Sequence, residues 1–394
     1  MATNDRSDGS DTHNSSKIKR RDFLTAAALP IVATATPKSL VAQDRATSSP
    51  QDNIRLGIIG AGANVRAIQI PGFQQIAGCE IVAVANRSLQ SSQRVASEFN
   101  IPRAYGDWQE LVADEDVDAI LIGTWPYMHH TLTLAALSSG KHVLCQARMA
   151  NNAAEAREML EASRQHPELV SQLVPTSTSY VIDNVLKRLL DENFIGEVLS
   201  VEVQRLRRSF ADFTGELDWR HDSEFSGFNV LNIGSTYESM MRWFGTGNRI
   251  MAQSKVHVVN RINAEGESVP VSIPDHVEVL YELVNQAQVH MRFSETTGLS
   301  NGNQTWIYGS EGTIQVDGRL NVFAGQRGDS ELTLVANPVP QQAYYRVEEE
   351  FINAIRGIEQ VTMATFETGV QYMEWTEAVH RSAESNQVVY LPLA

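Results

Sequence analysis

The stretch from Asn53 to Arg66, NIRLGIIGAGANVR, constrains this chain more than any other. A short apolar run of strand-forming residues breaks into Gly60-Ala61-Gly62 and resumes with helical character. A turn of this kind suits a dinucleotide. Gly60 permits the tight bend and Gly62 lets the backbone approach a pyrophosphate, whose charge then sits at the N-terminus of the helix that Asn64 and Val65 open. Val65 stands where the full G-x-G-x-x-G pattern has its third glycine, so an ordinary strand-turn-helix corner remains the competing reading.

A second apolar strand, Glu80 to Ala85, ends at Asn86-Arg87-Ser88, where a ribose-binding side chain is expected. The acid that would bond ribose hydroxyls and repel a 2'-phosphate is absent. Arg87 with Ser88 is suited to hold that phosphate, which favours NADP over NAD; a solvated loop cation is the alternative for Arg87.

The first forty residues form an address. Lys19-Arg20-Arg21-Asp22-Phe23-Leu24 precedes an apolar stretch, Ala26 to Ala35, that Pro30 interrupts and that is too short to span a bilayer. The pattern is that of a twin-arginine export signal within residues 1–42, cleaved after Ala35 or Ala42, and not of a membrane anchor. The expected partners are the twin-arginine translocation machinery and, in the periplasm or outside the cell, a small-molecule substrate. This route carries proteins that fold first, often around a cofactor, so a tightly bound nicotinamide recycled by substrates is expected. Cys79 and Cys145 lie at opposite ends of their strands, and no disulfide joins them in this reading. A net charge of −15 argues against nucleic acid and anionic membranes.

The 394 residues, 42% of them hydrophobic, suffice for two cores. From 53 to 150 strands and helices alternate with short connections: a doubly wound parallel sheet, an α/β Rossmann domain, with ligands at the carboxyl ends of its strands. Thr124-Trp125-Pro126 and Gln146-Ala147-Arg148 follow two such ends. From 151 to 394 longer strands dominate, beginning with Glu197 to Arg207, and predict an α+β domain with a large, mostly antiparallel open sheet. One face of such a sheet is free for a partner subunit, so a homo-oligomer is expected. No Cys-x-x-Cys or His-x-x-x-His pair supports a metal site.

With these segments placed, the chain resembles the Gfo/Idh/MocA family of oxidoreductases. The resemblance rests on Leu56 to Gly62, Ala85-Asn86-Arg87, Thr124 to His129, Ala135 to Cys145, Arg242-Trp243-Phe244-Gly245, Gly309 to Thr313 and Glu350 to Gly357. It implies a nicotinamide-dependent enzyme acting on a sugar or polyol-like substrate, with His129 beside the cofactor turn. The family's Glu-Lys-Pro after Lys-His-Val-Leu-Cys is here Gln146-Ala147-Arg148, so its lysine is missing. Its Asp-x-Gly-x-His is here Asn232 to Thr236, so its acid and its histidine are missing too. Arg148 can replace the lost positive charge but not a base. Asn232 and Thr236 do not titrate near neutrality, which leaves Tyr237 and Glu238 as candidate proton carriers, with a helix-surface carboxylate or an ion pair with Arg242 the leading reading for Glu238. Arg220 and His221 read as substrate contacts or as a solvated loop.

Two functions follow. One is an exported oxidoreductase with a non-standard proton relay, including a variant in which transient oxidation enables elimination or glycosidic cleavage. The other is a cofactor-retaining, non-catalytic protein that binds carbohydrate or serves in assembly.

Overall fold

The computed structural model describes residues 53–337 and 345–393. The expected export signal lies outside the described residues. No helix among the described residues is long and apolar enough to cross a membrane.

Six strands, β1 (Ile54–Ile59), β2 (Cys79–Ala85), β3 (Arg103–Tyr105), β4 (Ala119–Ile122), β5 (His142–Cys145) and β6 (Ser171–Leu173), form one sheet in the order β3-β2-β1-β4-β5-β6, every pair parallel. Their side chains are buried on both faces, as near-continuous apolar runs require when helices cover a parallel sheet: β4 is buried throughout. The strand order reverses between β1 and β4, so the crevice at their carboxyl ends is where a ligand belongs. The sheet does not stop at residue 150: β6 pairs with β5 through Val143, Leu144 and Cys145, so the boundary expected there falls inside this sheet.

The second sheet contains β7 (Val198–Leu206), β8 (Gly247–Lys255), β11 (His276–Leu283), β12 (Gln288–Ser294), β13 (Gln304–Gly309), β14 (Gly312–Val316), β15 (Val322–Gln326), β16 (Thr333–Leu334) and β17 (Val389–Tyr390). A separate hairpin pairs β9 (Asn260–Ile262) with β10 (Ser268–Pro270). Only β7 and β12 run parallel; the other neighbours in the nine-stranded sheet are antiparallel. β11 alternates, with Val277, Val279, Tyr281 and Leu283 inward and Leu280 exposed, the period-2 pattern of a sheet covered on one face.

Two C-terminal helices fasten the units together. Val347–Ile355 packs back on the first unit, where Phe351 meets Phe73 edge-on at 6.5 Å. Phe366–Ser385 lies against β8, and its Tyr372 hydroxyl accepts the Met149 N–H at 2.7 Å while Glu377 accepts that of Ala153 at 2.9 Å. Both cysteines are free thiols whose pKa burial pushes up, that of Cys79 to about 12.

Candidate active site

At the end of β1 the chain turns with Gly60 at φ +88°, and a Cβ there would lie 2.6 Å from the Thr124 nitrogen. The fold itself therefore demands this glycine. Gly62 differs. A Cβ on it would meet nothing nearer than the Gly123 oxygen at 3.9 Å. Its bare backbone faces a cavity of about 440 Å³ and leaves there a cradle for a close-approaching group. The Gly62 carbonyl accepts from Arg66 at 3.0 Å, and the helical stretch from Val65 begins beside it. Val65, 1% exposed, fills the corner where a third glycine would have brought helix and strand closer.

The same cavity is walled by Asn64 from this turn, Thr124, Trp125 and Pro126 after β4, and Gln146, Ala147 and Arg148 after β5. Thr176, Trp219, Arg220, Asn232 and Ser235 close it from the second unit. Gln146 is buried and donates to Gln69 at 2.8 Å, which fixes its amide. Trp125 stacks on Trp219 at 5.5 Å and 12°, and Arg220 lies over the Trp219 ring at 4.3 Å. The two units thus meet through aromatic faces at the cavity mouth.

Of the ribose-end residues, Asn86 turns inward: its Oδ1 accepts from the Ala61 N–H at 2.8 Å and its Nδ2 donates to Ser91. Ser88 caps the Leu89–Phe99 helix. Arg87 is exposed and has no ion-pair partner among the described residues. His129 does not reach the cavity wall. It is fully buried with its ring nitrogens 2.9 Å from the carbonyls of Arg148 and Thr124, and it holds the loops after β4 and β5 at a fixed spacing. Burial lowers its pKa, so it works as a brace between loops and not as an exchanging acid.

Arg148 is the electrostatic centre. Only 9% exposed, it donates to Ser235 Oγ at 2.6 Å and its Nε finds no partner. No carboxylate pairs with it among the described residues. Burial, with the nearby Arg220 charge, lowers its pKa, yet a guanidinium stays protonated. Gly234 makes room for its stem, since a Cβ there would lie 3.1 Å from Arg148 Cδ. Asn232 caps the Ile233–Phe244 helix in the left-handed region, φ 58°, with no side-chain bond into the helix, so its amide is left to the cavity.

The three residues after Ser235 separate from the site, because neighbours on a helix point about 100° apart. Thr236 faces two adjoining cavities and not the main one. Tyr237 is a correction: it lies in the core, stacked on Trp375 at 4.3 Å, its hydroxyl accepting from the Gly247 N–H at 2.9 Å, and burial pushes its phenol up to about 12. Glu238 takes its ion-pair reading and not the catalytic one: 2% exposed, it pairs with Arg242 at 2.8 Å and accepts from Thr176. Neither is placed to carry a proton to substrate. Gln69, Thr176, Ser235 and Tyr345 were missed, since nothing local in sequence marks residues brought to one wall from four separate segments. Among the described residues no group of His, Cys, Asp or Glu is arranged to hold a metal.

Two family models match this chain: the oxidoreductase family with an NAD-binding Rossmann fold over residues 54–173, and the GFO/IDH/MocA C-terminal domain over 184–315. The chain belongs to the GFO/IDH/MocA oxidoreductase family, whose nicotinamide cofactor suits the cradle at Gly62. Its relatives include trans-1,2-dihydrobenzene-1,2-diol dehydrogenases from Mus musculus, 29% identical over 67% of this chain and 74% of the relative, and from Xenopus laevis, 27% identical over 60% and 67%. Among solved structures, a levoglucosan dehydrogenase in complex with NADH and L-sorbose superposes with a TM-score of 0.76 at 21% identity, over 86% of this chain and 99% of that one. An oxidoreductase domain protein from Kribbella flavida reaches 0.77 at 20%, over 87% and 100%. At these identities the solved structures speak for the fold.

Proposed function

We propose that this protein is an exported oxidoreductase that holds its nicotinamide cofactor between turnovers and oxidises or reduces a carbinol carbon of a sugar or polyol. The observation that carries this reading is the single cavity running from the Gly62 cradle to Arg148, Asn232 and Ser235, walled by both units. Gly62, Asn64, Thr124, Pro126 and Gln146 would hold the cofactor, with Arg87 at the ribose end favouring NADP. When bound, the nicotinamide supplies a hydride acceptor or donor. Arg148, whose side chain lines the cavity and donates to Ser235, then stabilises negative charge on the reacting oxygen through its guanidinium charge. Asn232 and Ser235 orient hydroxyls by neutral hydrogen bonds. No lining side chain of this cavity titrates near neutrality, so the carbinol proton is exchanged with solvent.

That same lack of a titrating group favours a second reading, a cofactor-retaining protein that binds carbohydrate or serves in assembly without turnover. Denaturing the purified mature protein and identifying the released nucleotide by mass tests the shared premise. Recovery of NADP(H) or NAD(H), followed by a change in the bound nicotinamide absorbance on adding sugars, supports the oxidoreductase. Saturable sugar binding with no absorbance change supports the second reading, and absence of any nucleotide, bound or taken up, removes both.

A further inference from the structure

The segment from Asp218 to Ser226 crosses from the second unit to the cavity mouth and keeps its polar bonds to itself. It leaves the β9 hairpin where the Leu217 N–H donates to the Ile262 carbonyl at 2.7 Å. It is tied down again where Phe228 and Asn229 donate to the carbonyls of Asn151 and Ala150. Gly227 makes that second bend at φ +55°, pressed so close to the Asn151 backbone that a Cβ has no room. Between the two anchors, Asp218 caps the Trp219–His221 turn and Asp222 caps the Ser223–Ser226 helix. His221 Nδ1 takes the Asp218 N–H, and Ser226 donates to the Asp222 carbonyl. Among the described residues no hydrogen bond or ion pair runs from this segment to the first unit.

What holds the segment down is aromatic. Trp219 stacks on Trp125 at 5.5 Å, and Phe225 meets Trp125 at 5.1 Å and the Tyr127 ring edge-on at 5.3 Å. Trp125 and Tyr127 flank Pro126 where the helix after β4 begins, so these contacts join the two units. The charges that face each other across the mouth, Arg220 and Arg148, repel. Parting aromatic rings strands no buried donor or acceptor, whereas parting hydrogen-bonded groups does. A segment satisfied internally and held by rings alone can lift as one body about its two anchors. A dinucleotide reaching from the Gly62 cradle to Arg148 would fill a cavity that Trp219 and Arg220 close.

We infer that Asp218–Ser226 is a strap across the cavity mouth, latched by Trp219 and Phe225 on Trp125, and that it lifts to admit and release the nucleotide. This rests on the nicotinamide reading above and gives retention of the cofactor a structural cause.

Phe225 supplies the sharpest test, because it belongs to the latch and does not line the cavity. Stopped-flow emission of reduced nicotinamide follows the binding of NADPH and NADH to the mature protein, and displacement by excess oxidised nucleotide gives the release rate. Phe225→Ala is expected to raise association and release rates alike by about tenfold or more, with their ratio changed less than either, since a latch limits passage in both directions. Trp125→Ala is expected to do the same. At 39% exposure Trp125 also guards against Phe225→Ala failing to fold, which thermal unfolding reports. Release that quickens in both variants while association keeps its wild-type rate marks these rings as ordinary binding contacts and overturns the strap, as do unchanged rates in both. In either case nucleotide binding by the wild type leaves the nicotinamide reading standing. A wild-type protein that holds no nucleotide and takes none up removes that reading and the strap's role together.

Discussion

Arg148 brings a full charge into a wall where, among the described residues, its one hydrogen-bonded partner is a serine hydroxyl. A buried charge without a counter-charge costs stability, and replacement by an apolar residue of similar length is often neutral or stabilising. Arg148→Met is therefore expected to leave the melting temperature of the empty protein unchanged or raised, while nicotinamide affinity or turnover falls by about tenfold or more through loss of a charge-assisted donor. Melting curves alongside nucleotide titration would check this. Glu238 gives the opposite signature. Its ion pair with Arg242, itself bonded to Asp183 at 2.8 Å, is structural, so Glu238→Ala should cost about 3 kcal/mol in denaturant unfolding. A variant as stable as wild type but inactive would return Glu238 to the catalytic list. His142 sets an acid limit. Its Nδ1 accepts the Val170 N–H at 2.8 Å, and burial lowers its pKa from 6.5 to about 4. Between those values the unfolded chain carries the extra proton, so this contribution is complete above pH 6.5 and is lost as pH falls toward 4, by at most about 1.4 kcal/mol per pH unit. His142→Gln should flatten the fall in melting temperature over that window.

At the level of elements, the turn after β1 asks two different things of its glycines. Gly60 sits at positive φ against the Thr124 backbone, so Gly60→Ala should cost about 2 kcal/mol or more in chemical denaturation. Gly62 has open space, so Gly62→Ala should stay within about 0.5 kcal/mol of wild type and yet lose nucleotide affinity, because the methyl group occupies the cradle. Equal affinity in Gly62→Ala would remove the cofactor from this turn. The second element pair, the loops after β4 and β5, is spaced by the buried His129. The helix Ile233–Phe244 then sorts its residues by direction: Ser235 toward Arg148, Tyr237 into the core, Glu238 toward Arg242.

For the whole molecule, the nine-stranded sheet leaves one face uncovered. A single register row crosses it from Met251 through Leu280, His290 and Glu202 to Trp306. Met251 and Leu280 are directly paired and 45% and 57% exposed. We propose that two copies meet on this face around the exposed Met251–Leu280 pair. Light scattering should find a dimer or a larger closed assembly for the mature chain, and Leu280→Glu should shift it toward monomer; a wild-type monomer at micromolar concentration would refute the proposal.

Most of the architecture was legible because its signals are local. Apolar runs of β1, β2, β4 and β5 with short helical connections predict the parallel sheet, and alternation in β11 and β12 predicts the second. β9, β10, β15 and β17 escaped: each is five residues or fewer, too short for a clear alternation, and β17 draws its pairing from the distant β8. The sequence by itself determined the glycine turn, the missing lysine, acid and histidine, and the acidic balance of the chain. Only tertiary structure decided that Arg148 meets Ser235, that Tyr237 and Glu238 turn away, and that Gln69, Thr176 and Tyr345 join the same cavity wall. The physical reason is that a side chain's direction and its burial depend on packing between segments far apart in the chain, which no local pattern encodes.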